Sequence, residues 1–285
     1  MPTLLVRYGE LGLKSPSVRR RFENALVDDI RRRHALAKVP CVISSTRGRI
    51  YVDSDNWRTS CEILSRTFGV VSYSPVTKSV SELDGLTKDA VGFARQLMFE
   101  GASFAIRSRR SGNHPYTSQR LAEVLGAAVL KDNELKKIRV SLDEPDIEIS
   151  VEVRDTQAFL FSSVLSGPGG MPLGTQGRML CVIDDERGIA STWLMMKRGC
   201  SALVTARDPQ LLAVLDKWYP NLKTAELQKD PLKQAAESQC IGVALSWALE
   251  DLKRKGALKG DLPVFYPLIG MNDEEVASLL AKIRA

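Results

Sequence analysis

Apolar positions along this chain recur in two rhythms, a strand-like alternation and a helical period. Residues 3–7 (TLLVR) predict a short strand ending in the turn-like Gly9–Gly12 stretch. Phe22, Leu26 and Ile30 recur at i, i+4 and i+8 and predict a helix over 18–33 with Ser17 as its N-cap. A strand at 39–44, a turn at Arg47–Gly48 and a strand at 49–53 follow, then a helix at 57–67 and a strand at 70–75. That β-α-β-β-α-β order is the pattern of a small ferredoxin-like unit.

The next stretch repeats the mixture. A helix over 84–98 carries Ala90, Phe93, Ala94 and Leu97 on one face, and a strand at 102–108 (ASFAIRS) meets a basic turn at Arg109–Arg110. A helix over 117–131 has Leu121, Val124, Leu125, Ala128 and Val129 on its core side, and strands at 147–153 and 158–164 complete a second α/β unit.

The run Gly167-Pro168-Gly169-Gly170-Met171-Pro172-Leu173-Gly174 is the clearest linker signal in the chain. Beyond it short apolar strands alternate with helices: strand 178–183, helix 188–199, strand 200–206, helix 208–218, strand 240–246 and helix 272–284. This alternation predicts a parallel sheet with helices on both faces. The expected fold class is therefore α/β. A ferredoxin-like unit spans 1–76, a second α/β unit 77–166, a linker 167–177 and a doubly wound parallel-sheet domain 178–285.

Charge sharpens this picture. The net charge is +6, and residues 1–66 hold 13 Lys+Arg against 7 Asp+Glu, so the whole excess lies in the first unit. A basic unit on a neutral body points to a polyanionic partner. Within it, Arg31, Arg32 and Arg33 suit the C-terminal end of a helix dipole, whereas Arg19, Arg20 and Arg21 sit at the unfavourable N-terminal end, where an anion would resolve the conflict. No apolar run approaches the length that spans a bilayer, and the first residues lack the pattern of a signal peptide, so a soluble cytoplasmic protein is expected. The five cysteines form no C-x-x-C pair and the chain has two histidines, which argues against a zinc site. The cysteines read as small buried apolar residues.

In a parallel α/β domain the first strand-to-helix turn is the usual phosphate site, built from glycines and hydroxyl donors. Here it reads Ile183-Asp184-Asp185-Glu186-Arg187-Gly188. Three successive carboxylates repel a triphosphate unless a metal bridges them, and at a helix start they also stabilise the dipole with no further purpose. No nucleophile–base pair and no metal-ligand cluster is legible elsewhere; His34 and His114 lie far from the cysteines of the α/β domain.

Several segments, taken in order, resemble the ThiI family, the tRNA 4-thiouridine synthases that also supply sulfur for thiamine. Val6-Arg7-Tyr8-Gly9-Glu10-Leu11-Gly12-Leu13-Lys14-Ser15 is similar to the family's opening Y-G-E-(I/L)-x-x-K stretch. Residues 104–110 (FAIRSRR) with His114-Pro115-Tyr116-Thr117-Ser118 resemble its THUMP domain. The likeness continues through 151–177, through Trp193–Gly199 and through Leu262–Met271, so it covers most of the chain. It implies a THUMP RNA-binding domain over 77–166 that engages the acceptor end of tRNA. The residues it singles out are Arg107, Arg109, Arg110, His114, Ser118 and Arg120, with Arg7, Lys14, Arg19 and Arg20 extending the basic track. The departures fall in the last domain. The family's nucleotide-binding PP-loop, S-G-G-x-D-S, coincides with Ile183–Gly188 and keeps none of its six positions. The later T-G-(E/D)-S-L-G-Q-V-A-S segment is not recognisable in Leu245–Glu250, and the resemblance leads to the expectation of no counterpart to the usual sulfur-handling cysteine or to the rhodanese-like extension of some members.

Three readings follow. In the first, the chain binds tRNA and supports 4-thiouridine formation without adenylating the RNA itself, using no cofactor and working with a separate sulfur-transfer protein. In the second, it is an active ATP-dependent tRNA sulfurtransferase, with Asp184, Asp185 and Glu186 holding Mg²⁺. In the third, it is a self-associating structural protein that binds no RNA. The resemblance also implies a homodimer.

Overall fold

The computed structural model describes residues 2–9, 15–46 and 48–285. In chain order the first elements are β1 (Thr3–Tyr8), α1 (Pro16–Leu36), β2 (Val42–Thr46), β3 (Arg49–Asp53), α2 (Trp57–Ser65) and β4 (Val70–Val80). The expected β-α-β-β-α-β order is present, with strands neighbouring one another as β2-β3-β1-β4. Helix α1 starts earlier than expected, because Pro16 occupies its first turn, where a missing N–H costs nothing. The N-cap is accordingly Ser15 rather than Ser17, and its side chain makes no capping bond. Strand β4 runs past Pro75, and its pairing with β8 begins only at Thr77, beyond the nitrogen that cannot donate.

Next come α3 (Leu83–Arg95), β5 (Ser103–Ser111), α4 (Ser118–Asp132), β6 (Arg139–Val140), β7 (Ile147–Arg154), β8 (Gln157–Phe161) and β9 (Leu165–Ser166). Arg109 and Arg110, expected in a turn, lie within β5, which pairs with β7 over Phe104–Ser111. The turn comes at Gly112, whose φ of 102° most side chains would resist.

The last stretch holds β10 (Arg178–Ile183), α5 (Glu186–Lys197), β11 (Ser201–Ala206), α6 (Ala213–Asp216), β12 (Lys223–Thr224), α7 (Pro231–Glu237), β13 (Val243–Ala244), α8 (Leu249–Lys255), β14 (Val264–Phe265) and α9 (Asp273–Arg284). Its sheet is ordered β12-β11-β10-β13-β14, and the paired strands run parallel. The helix expected over 208–218 is a 3₁₀ turn at Pro209–Leu212 followed by the short α6, and the strand expected over 240–246 shrinks to β13.

Contacts group the chain into two compact units. The first comprises residues up to Leu5, Tyr51–Trp57 and Tyr73–Leu165. In it β4, β8, β7, β5 and β6 lie side by side. Helices α3 and α4 cover one face, where Leu86, Ala90, Leu121 and Leu125 bury Phe104, Ile106, Val151 and Leu160. Because strand side chains alternate, Arg107 and Arg109 point to the opposite face.

The second unit comprises Val6–Ile50, Arg58–Ser72 and Ser166–Ala285. It therefore joins α1 and α2 to the parallel sheet. Phe68 sits in the core of that sheet domain, with its ring 5.4 Å from Trp193 and 5.5 Å from Trp218. Arg33, buried on α1, donates to Asp29 at 3.0 Å and to the carbonyl of Trp218. The glycine-rich linker threads through the same contact: Gly69 N donates to Gly169 O at 2.8 Å, and a Cβ on Gly170 would meet Lys197 O. Among the described residues no helix is long and apolar enough to cross a membrane.

Candidate nucleic-acid interface and the acidic turn

The basic strand is the natural starting point. Strand β5 carries the exposed Arg107 and Arg109 on the face opposite the helices and Arg110 at its end. Arg107 is half committed, with Nε 3.2 Å from Glu148 Oε2 and Nη2 donating to Leu142 O. Arg109 makes no ion pair or hydrogen bond among the described residues, and Arg110 reaches only the carbonyl of Gly112 at 3.3 Å. Helix α4 opens on the other face of the strand, the side of Ser108 and Arg110. Thr117 caps it by accepting from Arg120 N at 3.1 Å, and Ser108 on β5 donates its hydroxyl proton to Ser118 O. Arg120 is exposed and weakly paired with Glu123 at 3.4 Å. Arg110, on the α4 side of β5, and Arg120 thus flank the N-terminus of α4, an arrangement suited to phosphate, while Arg107 and Arg109 carry positive charge on the opposite face of the strand.

His114 lies in the same turn, with Nε2 2.8 Å from Asp155 O and its ring stacked on Tyr116. Asp155 is not singled out by the sequence pattern, and Tyr116 enters it only as part of the THUMP-like segment. The legible signal was the two-residue Asp155-Thr156 connection between alternating strands, a setting in which Asp accepts the left-handed backbone it adopts here at φ 49°.

The other basic residues belong to the second unit. Arg19 and Arg20 stand in the first turn of α1, which holds no acidic residue, and neither has an ion-pair partner among the described residues. Arg7 lies half-buried on β1, and Lys14 falls outside the described residues. Across α1, His34 is a core residue. Its ring lies between Ile30 O at 2.8 Å and Ser60 Oγ at 3.0 Å, and burial lowers its pKa.

The turn between β10 and α5 has a different character. Asp185 is the N-cap of α5, accepting from Arg187 N at 2.9 Å and Gly188 N at 3.3 Å. Asp184 pairs with Arg207 at 3.0 Å, and Glu186 pairs with Arg284. Arg187 reaches Asp273 at 3.5 Å. Ile183 is fully buried, and a Cβ on Gly188 would lie 2.6 Å from its Cα. Sheet order reverses beside β10, so this is the topological switch point where such sheets place a nucleotide. The residues present do not fit that group. The amides that would cradle phosphate already bind a carboxylate, and each acidic neighbour is held by an arginine. Among the described residues, no group of three or more His, Cys, Asp and Glu stands where it could hold a metal ion.

Cys181, Cys200 and Cys240 are buried as expected, whereas Cys41 and Cys61 are only half-buried, and all five are free thiols. Burial pushes the Cys181 thiol up to about 12 and that of Cys61 up to about 11.

Comparison with known proteins adds a lineage to this geometry. A model of the ThiI ferredoxin-like domain matches residues 3–74, and a THUMP domain model matches residues 80–163. A Thermoanaerobacter pseudethanolicus protein named "Probable tRNA sulfurtransferase" is 31% identical over 98% of this chain and 85% of its own length. The chain belongs to the ThiI family. A Methanobrevibacter smithii protein of the same name is 39% identical over 72% of this chain and 53% of its own. The chain thus spans about half the length of several ThiI relatives it matches. In fold it superposes on a crystal structure from Pyrococcus horikoshii with a TM-score of 0.84, 27% identity and full coverage of both chains. A 4-thiouridine synthetase solved with RNA and ATP gives a TM-score of 0.81 at 20% identity, covering 99% of this chain and 85% of that one, a likeness of fold. Both family models end before Ile183–Gly188, so the ThiI assignment by domain model rests on the first two domains.

Proposed function

We propose that this ThiI-family chain binds tRNA through its THUMP half and serves 4-thiouridine formation without adenylating the RNA itself, the sulfur coming from a separate protein. The observation that carries the binding half is the pair Arg109–Arg110 at the end of β5, cations without carboxylate partners among the described residues, with Arg110 on the side of the strand where the capped start of α4 lies. The acidic cap supports the second half of the reading: Asp185 occupies the amides that a nucleotide phosphate would need.

Fluorescence titration of total tRNA at several salt concentrations tests the binding. Each phosphate neutralised on a duplex contributes about −0.9 to the slope of log K against log salt. Replacing both Arg109 and Arg110 by Ala should flatten that slope by about 1.8 and weaken binding at low salt. An unchanged slope and affinity would refute the assignment. Calorimetric titration of ATP–Mg²⁺ into the tRNA complex tests the rest, and saturable heat would overturn the claim that this chain does not adenylate.

A further inference from the structure

Between β5 and α4 the chain turns through residues 112–117, and His114 ties that turn to two other segments. Its Nε2 faces a carbonyl, Asp155 O at 2.8 Å, which can only accept, so this nitrogen carries the ring proton. Nδ1 is then the acceptor of the neutral ring, and it is buried with no hydrogen-bond partner among the described residues. The ring lies on Tyr116, with centroids 5.5 Å apart and planes 25° apart. The Tyr116 hydroxyl donates to Ser81 O, and Ser81 N donates to Thr156 O at 3.1 Å, one residue from Asp155. The contacts therefore close a ring through the turn, the β7–β8 connection and the residue pair that leads into α3. Asp155 tightens it further. Its amide donates to Ser111 O at 3.3 Å, and its Oδ1 would stand 2.9 Å from a Cβ on Gly112.

We propose that His114 is a positioning residue. In its neutral Nε2–H form it holds the β5–α4 turn, and with it Arg110 and the start of α4, in the shape that receives RNA phosphate; protonation releases the turn. This rests on the tRNA-binding reading above. A proton on Nδ1 creates a buried donor with no acceptor, which the closed turn satisfies only by opening to water. The charged and titratable groups that the described contacts place at this turn are Arg110 from β5, Asp155 from the β7–β8 connection, Tyr116 beside the ring and, near Tyr116, Glu82 at the start of α3. Burial is the main cause that raises the Tyr116 pKa, with Arg110 lowering it and Glu82 raising it, which places both charges around this cluster. Neither carboxylate supplies Nδ1 with a hydrogen-bond acceptor.

The sign of the pH dependence separates this role from a direct one. A histidine touching phosphate would tighten binding in acid, because the imidazolium attracts the backbone. A positioning histidine loosens it. Dissociation constants for total tRNA at pH 8 and pH 5.5 should show the full-length protein binding about tenfold more weakly in acid. His114→Gln keeps an uncharged N–H for Asp155 O and should bind equally at both values, and His114→Ala should bind weakly at both. Tighter binding in acid, or His114→Ala binding like the parent protein, would overturn the proposal. Imidazole ¹⁵N spectra of the free protein test the turn without RNA. The Nε2–H tautomer, with loss of the Asp155 contact in acid, supports it, and the Nδ1–H tautomer overturns it. Failure of every variant to bind tRNA would refute the RNA reading, and the role proposed for His114 with it, leaving the spectra to report on the turn alone.

Discussion

Replacing Arg33 with Ala removes a guanidinium buried between α1 and the parallel-sheet domain. Its side chain and that of Asp29 are 3% and 2% exposed. The lost contacts are the 3.0 Å bond to Asp29, the bond to Trp218 O, and a longer one of 3.4 Å to Lys217 O. Two carbonyls just past α6 lose a donor, and a carboxylate stays buried with one partner fewer. Breaking a buried ion pair from one side costs about 3–5 kcal/mol, because the remaining charge is left uncompensated. Arg32 still reaches Asp29 and is 48% exposed, so some compensation survives and the lower end, about 3 kcal/mol, applies. For a unit of this size that is a fall in Tm of about 6–12 °C. Urea unfolding followed by tryptophan fluorescence is a suitable assay, since Trp193 and Trp218 lie in the core this arginine adjoins. A cost below about 1 kcal/mol would place the pair among ordinary surface salt bridges and refute the reasoning. So would an equal cost for Arg33→Ala in an Asp29→Asn background, because the two side chains would then be uncoupled.

Two further substitutions probe the same unit. Gly170→Ala combines a φ of 76° with a Cβ pressed onto Lys197 O, whereas Gly169→Ala has a similar φ of 67° and open space around it. The first should lower the urea midpoint clearly more than the second, whose cost should stay near the 1–2 kcal/mol of a left-handed residue; equal costs would show that the linker is not packed as described. The Cys181 thiol keeps its proton in the folded protein up to about 12, while an unfolded thiol loses it near 9.0. Its contribution to stability is thus complete below pH 9 and declines as the pH rises towards 12. Cys181→Ala should flatten the loss of stability between pH 9 and 11, and an unaltered profile would mean that the thiol is hydrated.

Local pattern was enough for the elements whose chemistry is local. The apolar spacing of Phe22, Leu26 and Ile30 defined the core face of α1, and those residues are all buried. The ferredoxin-like order and the THUMP motif were legible because each strand and helix carries its own period and turn signals. The acidic turn at Ile183–Gly188 could be read as a helix cap from composition, since Asp and Glu stabilise a helix start without any partner. Boundaries failed where a longer-range contact decided them. Arg109 and Arg110 look like a turn in sequence, and pairing with β7 extends the strand through them. Strand β13 is short because only Val243 and Ala244 find partners on both sides.

The sequence by itself determined the fold class, the family and the identity of the basic residues, because periodicity, turn chemistry and ordered motifs are properties of neighbouring positions. Tertiary structure decided which of those residues are free to act. It tied His114 to Asp155 and Tyr116, left Arg109 without a carboxylate among the described residues, gave Asp185 to the amides of its own helix and joined α1 to the parallel-sheet domain through Arg33. Each of these depends on which distant residue fills the space around a polar group, and no spacing along the chain records that.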